Sequence, residues 1–235
     1  MNVLVVVPTY NERENLPVLV RAILAHEKYR VLIVDDGSPD GTGAVADALA
    51  SELSGRVEVL HRTGKRGLGR SYIEALQRAM HEDADVICQM DADLSHDPRY
   101  LPDLVAALGN GYDLVLGSRY MHGVSVVNWP LRRLMLSTAA NWYIRTVTRL
   151  PLRDCTTGYR CWRREALGRV PLNRIVSDGY AFFFETLYEA VRRGCRVGEV
   201  PIIFVERREG QSKLSRSVMF ESFLMPWRLL LRRRA

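Results

Sequence analysis

The sequence predicts an α/β fold, a mostly parallel central sheet with helices on both faces. Three observations carry this. Short apolar runs alternate with helix-length segments over the first half of the chain. The runs are continuous and rich in β-branched residues, the pattern of strands buried on both faces. Three of them end in polar clusters: Pro8-Thr9-Tyr10-Asn11-Glu12, Asp35-Asp36-Gly37-Ser38 and Asp91-Ala92-Asp93. In open parallel sheets ligands bind outside the carboxyl ends of the strands.

Residues 3–7 form the first buried strand. Residues 11–25 are helical, with Leu16, Leu19, Val20, Ile23 and Leu24 on one stripe. Residues 31–34 are the second strand. Residues 42–53 are alanine-rich and helical, and 57–60 are the third strand. The stretch "RTGKRGLGR" (62–70) is a cationic loop. It follows the third strand and lacks the G-x-G-x-x-G spacing, so it is not a dinucleotide fingerprint. A helix follows over 70–81. Residues 86–90 are the fourth strand, stopped by Asp91. A helix over 98–108 and a strand over 114–117 complete the regular part. Then the alternation weakens. A helix over 130–148, a loop "RDCTTGYR" (153–160), a helix over 182–193 and a strand-like piece over 197–205 are expected. Arg163-Arg164 and Arg192-Arg193 are expected on solvated faces. Residues 1–214 make one catalytic unit, and 215–235 an amphipathic basic tail.

The chain has 235 residues, 47% hydrophobic and 26% charged, an ordinary globular composition. Its net charge of +6 suits an anionic partner such as a nucleotide or a phospholipid surface. Nucleic acid is disfavoured, because the basic residues are not interleaved with aromatics on one surface. The four cysteines form no C-x-x-C pair and have no histidine at zinc spacing. Cys88 is expected as a small core residue, and a reducing, cytoplasmic setting follows. The N-terminal apolar run lacks a basic start and breaks at Pro8, so it is a strand and not a signal peptide. No apolar run reaches the roughly 18 residues that a spanning helix needs.

In an extended segment, side chains two apart point to one side. Asp91 and Asp93 therefore face one site. Hard cations such as Mg²⁺ and Mn²⁺ take carboxylate oxygens, and Mg²⁺ commonly uses one or two of them with phosphates and water. The pair thus fits a metal holding a diphosphate. Solvated loop acids and the paired carboxylates of a hydrolase share the spacing. A calcium loop does not fit, with His96 sixth and Pro102 twelfth from Asp91. The Asp35-Asp36-Gly37-Ser38 turn suits ribose or base recognition, and equally a turn and helix cap.

Eight motifs occur in order: "VVPTYNERENLP" (6–17), "VDDGSPDGT" (34–42), "GLG" (67–69), "MDADLSHDP" (90–98), "GSRY" (117–120), "TGYR" (157–160), "DGYAFFFE" (178–185) and "EVPIIFVERREGQSKL" (199–214). Over nearly the whole chain they resemble glycosyltransferase family 2, and within it the dolichyl- or polyprenyl-phosphate mannosyltransferases. The resemblance implies a GT-A, Rossmann-like nucleotide-sugar-binding fold. It implies GDP-mannose as donor, Mg²⁺ or Mn²⁺ as cofactor, and a membrane lipid phosphate as acceptor. It places Pro8, Tyr10, Glu12, Val34 and Asp36 around the guanosine. Asp91, Ala92 and Asp93 lie at the metal and diphosphate, with Arg119, Arg207 and Lys213 on phosphates. Arg119, Arg133 and Ser137 match acceptor-phosphate positions, and Asp91, Asp93 and Arg119 are the expected catalytic set. Three positions depart from the family pattern. Ser95 stands where relatives place a glutamine, Thr138 where an arginine is usual, and Phe183 where a glutamine is common.

A lipid phosphate is largely ionised at neutral pH, its second pKa being about 6, so no strong general base is required. A single in-line displacement would invert an α-linked donor to a β-linked product. Two alternatives remain: transfer of glucose or another sugar to undecaprenyl phosphate, and a non-catalytic accessory subunit that keeps the fold. Residues 206–214 are expected to close over the diphosphate. The tail, with Phe220, Phe223, Trp227 and Leu231 before Arg232, Arg233 and Arg234, is expected in the headgroup region of a cytoplasmic membrane face. Packing on the protein's own core, or on a membrane-spanning partner subunit, is the other reading.

Overall fold

The computed structural model describes residues 1–63, 67–206 and 216–232, with backbone alone at 216–220. The elements are β1 (Val3–Thr9), α1 (Asn15–Leu24), β2 (Tyr29–Asp35), α2 (Thr42–Glu52), β3 (Val57–His61), α3 (Leu68–Ala79), β4 (Val86–Gln89), α4 (Leu101–Leu108), β5 (Leu114–Ser118), β6 (Val126–Val127), α5 (Leu131–Thr148), β7 (Arg160–Arg163), α6 (Arg164–Gly168), α7 (Gly179–Arg192), β8 (Val197–Pro201), β9 (Phe204–Val205) and α8 (Arg216–Arg232). Seven strands form the main sheet in the order β3-β2-β1-β4-β7-β5-β8. β7 runs antiparallel to both its neighbours, and the other pairings are parallel.

Side-chain alternation splits the core into two layers. Val3, Val5, Val7, Val31 and Ile33 point to one face, covered by α1, α2 and α4 through residues such as Leu16, Leu49 and Leu104. Leu4, Val6, Leu32 and Val34 point to the other, covered by α3, α7 and α8 through Tyr72, Phe182 and Leu229. Continuous apolar strands are the consequence of this two-sided burial.

Several boundaries differ from the sequence expectations. The first helix begins at Asn15, because Asn11 takes a left-handed backbone with φ 61°. The turn it makes is tied across to the loop after β2: Asn11 N–H donates to Ser38 Oγ at 3.1 Å and Glu12 N–H to Thr42 Oγ1 at 2.9 Å. The expected strand over 197–205 is two strands. β8 ends at Pro201 in the main sheet, and β9 pairs with β6 in a separate ribbon. β7 occupies the end of the expected 153–160 loop and beyond. Arg163 and Arg164 are not on a solvated face. Arg163 donates to the carbonyls of Tyr112 and Leu108, and Arg164 to that of Met80.

Cys88 is buried as expected, but it is not unpaired. The antiparallel register sets it opposite Cys161, and the two form a disulfide. Among the described residues no helix is long and apolar enough to cross a membrane. α8 packs on the domain, sinking Met225 and Leu229 into the layer beneath α7 while Phe223, Trp227 and Leu231 stay exposed.

Candidate active site

Strand order reverses between β1 and β4, and a cleft of about 360 Å³ opens there at the carboxyl ends. Pro8, Tyr10, Glu12, Asp36, Asp91, Ala92, Asp93, Arg119 and Arg133 all line it. Two predicted residues sit apart from the lining. Val34 is wholly buried in β2 beneath α3, and Ser137, on α5, accepts a hydrogen bond from Tyr120 Oη at 2.7 Å. Arg207 and Lys213, with the expected closing loop from 207 on, lie outside the described residues.

The acidic half is built by the turn after β4. Tyr72 Oη donates to Asp91 Oδ1 at 3.0 Å. The backbone N–H of Asp91 donates to His96 Nδ1 at 3.1 Å, which makes that nitrogen an unprotonated acceptor. Burial pushes the His96 pKa down, more than the carboxylates of Asp91 and Asp93 pull it up. Ser95 spends its hydroxyl on Asp93 Oδ1 at 2.5 Å, and its N–H reaches the same oxygen at 3.1 Å. Ser95 thus orients the carboxylate, where a glutamine could have reached further. Among the described residues no group of three or more His, Cys, Asp or Glu side chains is arranged to hold a metal ion by itself. The donor set is two hard carboxylates beside a cleft, which fits a Mg²⁺- or Mn²⁺-type ion whose remaining ligands are diphosphate and water.

At the β2 end of the cleft Asp36 is nearly buried and takes hydrogen bonds from Arg62 Nη1 and Ser71 Oγ. Arg62 also reaches Glu74 at 2.8 Å. The "GLG" motif has a steric reason. Gly67 has φ 97°, and a Cβ there would lie 1.7 Å from Asp178 Oδ2. Asp178 accepts from Gly69 N–H at 2.6 Å and from Gly179 N–H at 2.9 Å, so one carboxylate joins the first turns of α3 and α7 at the cleft. Phe183 also lines the cleft. Gly158 leaves room for its ring, since a Cβ there would meet Phe183 Cζ at 3.0 Å.

The basic half is held by aromatic rings. Arg119 donates to both carboxylate oxygens of Asp154, Nε at 2.6 Å and Nη2 at 2.7 Å, and to Thr156 Oγ1 at 2.8 Å. Burial opposes the charge on each partner, and the pairing more than reverses it: the Asp154 pKa is lowered and that of Arg119 raised. The Arg119 guanidinium lies 5.5 Å from the Trp129 ring centre and 5.6 Å from that of Phe204. Arg133 lies 4.1 Å from the same Trp129 ring and pairs with Glu206. The Phe204 ring stands 5.3 Å from that of His96, so one aromatic contact joins the arginine half to the acidic half. Sequence reasoning missed Arg62, His96, Trp129, Asp154, Asp178, Phe204 and Glu206. Of these His96, Asp178, Phe204 and Glu206 fall in motifs whose neighbours pointed to the site, and Arg62, Trp129 and Asp154 do not.

Comparison with known proteins agrees with this geometry. The profile of "Glycosyl transferase family 2" matches residues 4–177. A protein named polyprenol monophosphomannose synthase from Mycolicibacterium smegmatis is 47% identical over 93% of this chain and 83% of its own length. An undecaprenyl-phosphate mannosyltransferase from Micrococcus luteus is 46% identical over 94% of this chain and 91% of its own. Among solved structures, glucosyl-3-phosphoglycerate synthase from Mycobacterium tuberculosis, in complex with Mn²⁺, UDP and glucosyl-3-phosphoglycerate, superposes with a TM-score of 0.69 at 18% identity. It covers 98% of this chain and 79% of that one, and at this identity the likeness is one of fold. With the profile spanning most of the chain, and acids and arginines gathered at the switch point of a GT-A-type sheet, the chain belongs to glycosyltransferase family 2.

Proposed function

We propose that this chain transfers mannose from GDP-mannose to a polyprenyl or dolichyl phosphate, with inversion. One observation carries the reading: a single cleft combines a carboxylate pair suited to a metal diphosphate with an arginine pair suited to a second phosphate. The names of the two mannosyltransferase relatives support the sugar and the acceptor class.

In this reading Pro8, Tyr10, Glu12 and Asp36 flank the guanosine, and Asp91 and Asp93 hold the divalent ion. When bound, that ion neutralises charge developing on the leaving diphosphate. Asp91 is positioned by Tyr72 and His96, and Asp93 by Ser95. Arg133 and the Arg119 Nη1, which is not among the nitrogens engaged by Asp154 and Thr156, bind the acceptor phosphate. A phosphate oxygen attacks the sugar's anomeric carbon. The new carbon–oxygen bond forms on one face while the bond to the diphosphate breaks on the other, and the electron pair leaves with GDP. Arg207 and Lys213 would assist at the diphosphate.

The acceptor's lipid tail calls for a bilayer. α5 exposes Leu131, Met135 and Trp142, and α8 exposes Phe223, Trp227 and Leu231 at four-residue spacing. Phe223 stacks on Tyr143 of α5 with centroids 5.1 Å apart, so the two helices share one outer face. We place this face in the headgroup layer of the cytoplasmic leaflet; Arg232, expected at the headgroups, instead turns its Nη1 to the buried Glu185 at 2.7 Å.

Titration calorimetry of GDP and UDP with Mg²⁺ or Mn²⁺ tests the donor. GDP should bind more tightly, and chelator should weaken it. Preference for UDP would transfer the reading to a UDP-sugar.

A further inference from the structure

Arg133 already holds an anion. Its Nη1 meets both carboxylate oxygens of Glu206. The two side chains are 26% and 25% exposed, so solvent and ligands reach the pair, and both line the cleft. Glu206 is held in place by its backbone. Its N–H donates to the Val127 carbonyl at 3.0 Å, continuing the β6–β9 pairing by one residue. Arg133 is held in place independently, by stacking on Trp129 at 4.1 Å. The carboxylate therefore occupies a guanidinium edge that an incoming phosphate would use.

The two anions are unequal. A phosphate monoester carries close to two charges near neutral pH and three acceptor oxygens, against one charge and two oxygens on a carboxylate. It can also engage Arg119, which faces the same Trp129 ring from 5.5 Å. An ion pair with about a quarter of each side chain exposed is weak enough to be exchanged.

We propose that Glu206 is a built-in competitor for Arg133, displaced when the acceptor's phosphate arrives, and so a residue that sets acceptor affinity. This rests on the assignment of Arg119 and Arg133 to the acceptor phosphate. In the empty site Glu206 offsets the repulsion between two guanidiniums gathered on one indole. In the loaded site the phosphate takes over that task. Trp129 keeps Arg133 aimed during the exchange.

The opposite role is a brace, in which Glu206 holds Arg133 in its binding pose. The two roles differ in sign. The test uses the full chain, a short-chain polyprenyl phosphate in detergent micelles, and the nucleotide sugar that supports turnover. KM for each substrate is measured in the unaltered chain and in Glu206→Gln, Glu206→Ala and Arg133→Ala. Both Glu206 variants keep the backbone pairing with Val127. Both should lower the acceptor KM about two- to fivefold, the size of an exposed ion pair, with the donor KM unchanged. Arg133→Ala should raise the acceptor KM. If it does, and either Glu206 variant leaves the acceptor KM unchanged or raises it, Glu206 is a brace and the competitor role is overturned. If Arg133→Ala leaves the acceptor KM unchanged, the acceptor-site assignment falls and the competitor role falls with it.

Discussion

Arg119 grips Asp154 through two nitrogens, at 2.6 and 2.7 Å, and Asp154 has no exposed surface. The same arginine was expected to contact phosphate. It does line the cleft, but two of its nitrogens are committed to a buried carboxylate. Arg119→Ala should therefore cost stability, about 3–5 kcal/mol, because it strands a buried charge. Urea unfolding measures this. The pH dependence has a definite sign. Asp154 is held below the ordinary carboxyl value of about 3.9. The pair's contribution is thus present above pH ~4 and lost as pH falls through the lower folded value. The stability gap between the unaltered chain and the variant should shrink as pH falls through the acid range, beginning where the unpaired Asp154 of the variant, its pKa raised by burial, takes up a proton. A constant gap through the acid range would remove Asp154 from the account.

Asp91→Asn and Asp93→Asn should each reduce turnover by at least ~100-fold, the scale on which loss of one electrostatic element at a reacting centre acts. Nucleotide binding should lose its metal dependence at the same time. Circular dichroism should be unchanged, since both side chains line the cleft and not the packed layers. Full activity of either variant in excess chelator would defeat the metal assignment.

Testing the proposed membrane face needs substitutions, not truncation. Removing α8 would strip Met225 and Leu229 from the core, and with them Glu221, which accepts the Asp178 N–H at 3.1 Å beside the cleft. Changing Trp227 and Leu231 together to Ser alters the outer stripe and leaves the Phe223–Tyr143 stack between α8 and α5 in place. That variant should keep nucleotide binding and lose flotation with anionic liposomes. If it floats as well as the unaltered chain, the bilayer contact lies elsewhere.

The parallel half of the fold was legible because two-sided burial writes itself as unbroken runs such as residues 3–7. The acid pair was legible because Asp91 and Asp93 interrupt such a run at its carboxyl end. β7 was not legible. Arg160 has no exposed surface, and its charge is met by the Thr157 and Cys155 carbonyls and Thr186 Oγ1, a solution no apolar periodicity reveals. Burial brings the Arg160 pKa down to about 10. The partners of the predicted arginines were illegible for another reason. Asp154 is 35 residues from Arg119 and Glu206 is 73 from Arg133, separations bridged only once the sheet is assembled. The Cys88–Cys161 pairing likewise depends on the antiparallel register of β4 and β7.

The most direct test is turnover by the purified chain. It would be incubated with polyprenyl phosphate, Mg²⁺ or Mn²⁺, and either labelled GDP-mannose or labelled UDP-glucose, and the glycolipid analysed by mass and anomeric configuration. The account predicts a β-linked mannosyl phospholipid from GDP-mannose, abolished by chelator, and little or no product from UDP-glucose. Product from UDP-glucose alone, an α-linked product, or no lipid product with either donor would contradict it.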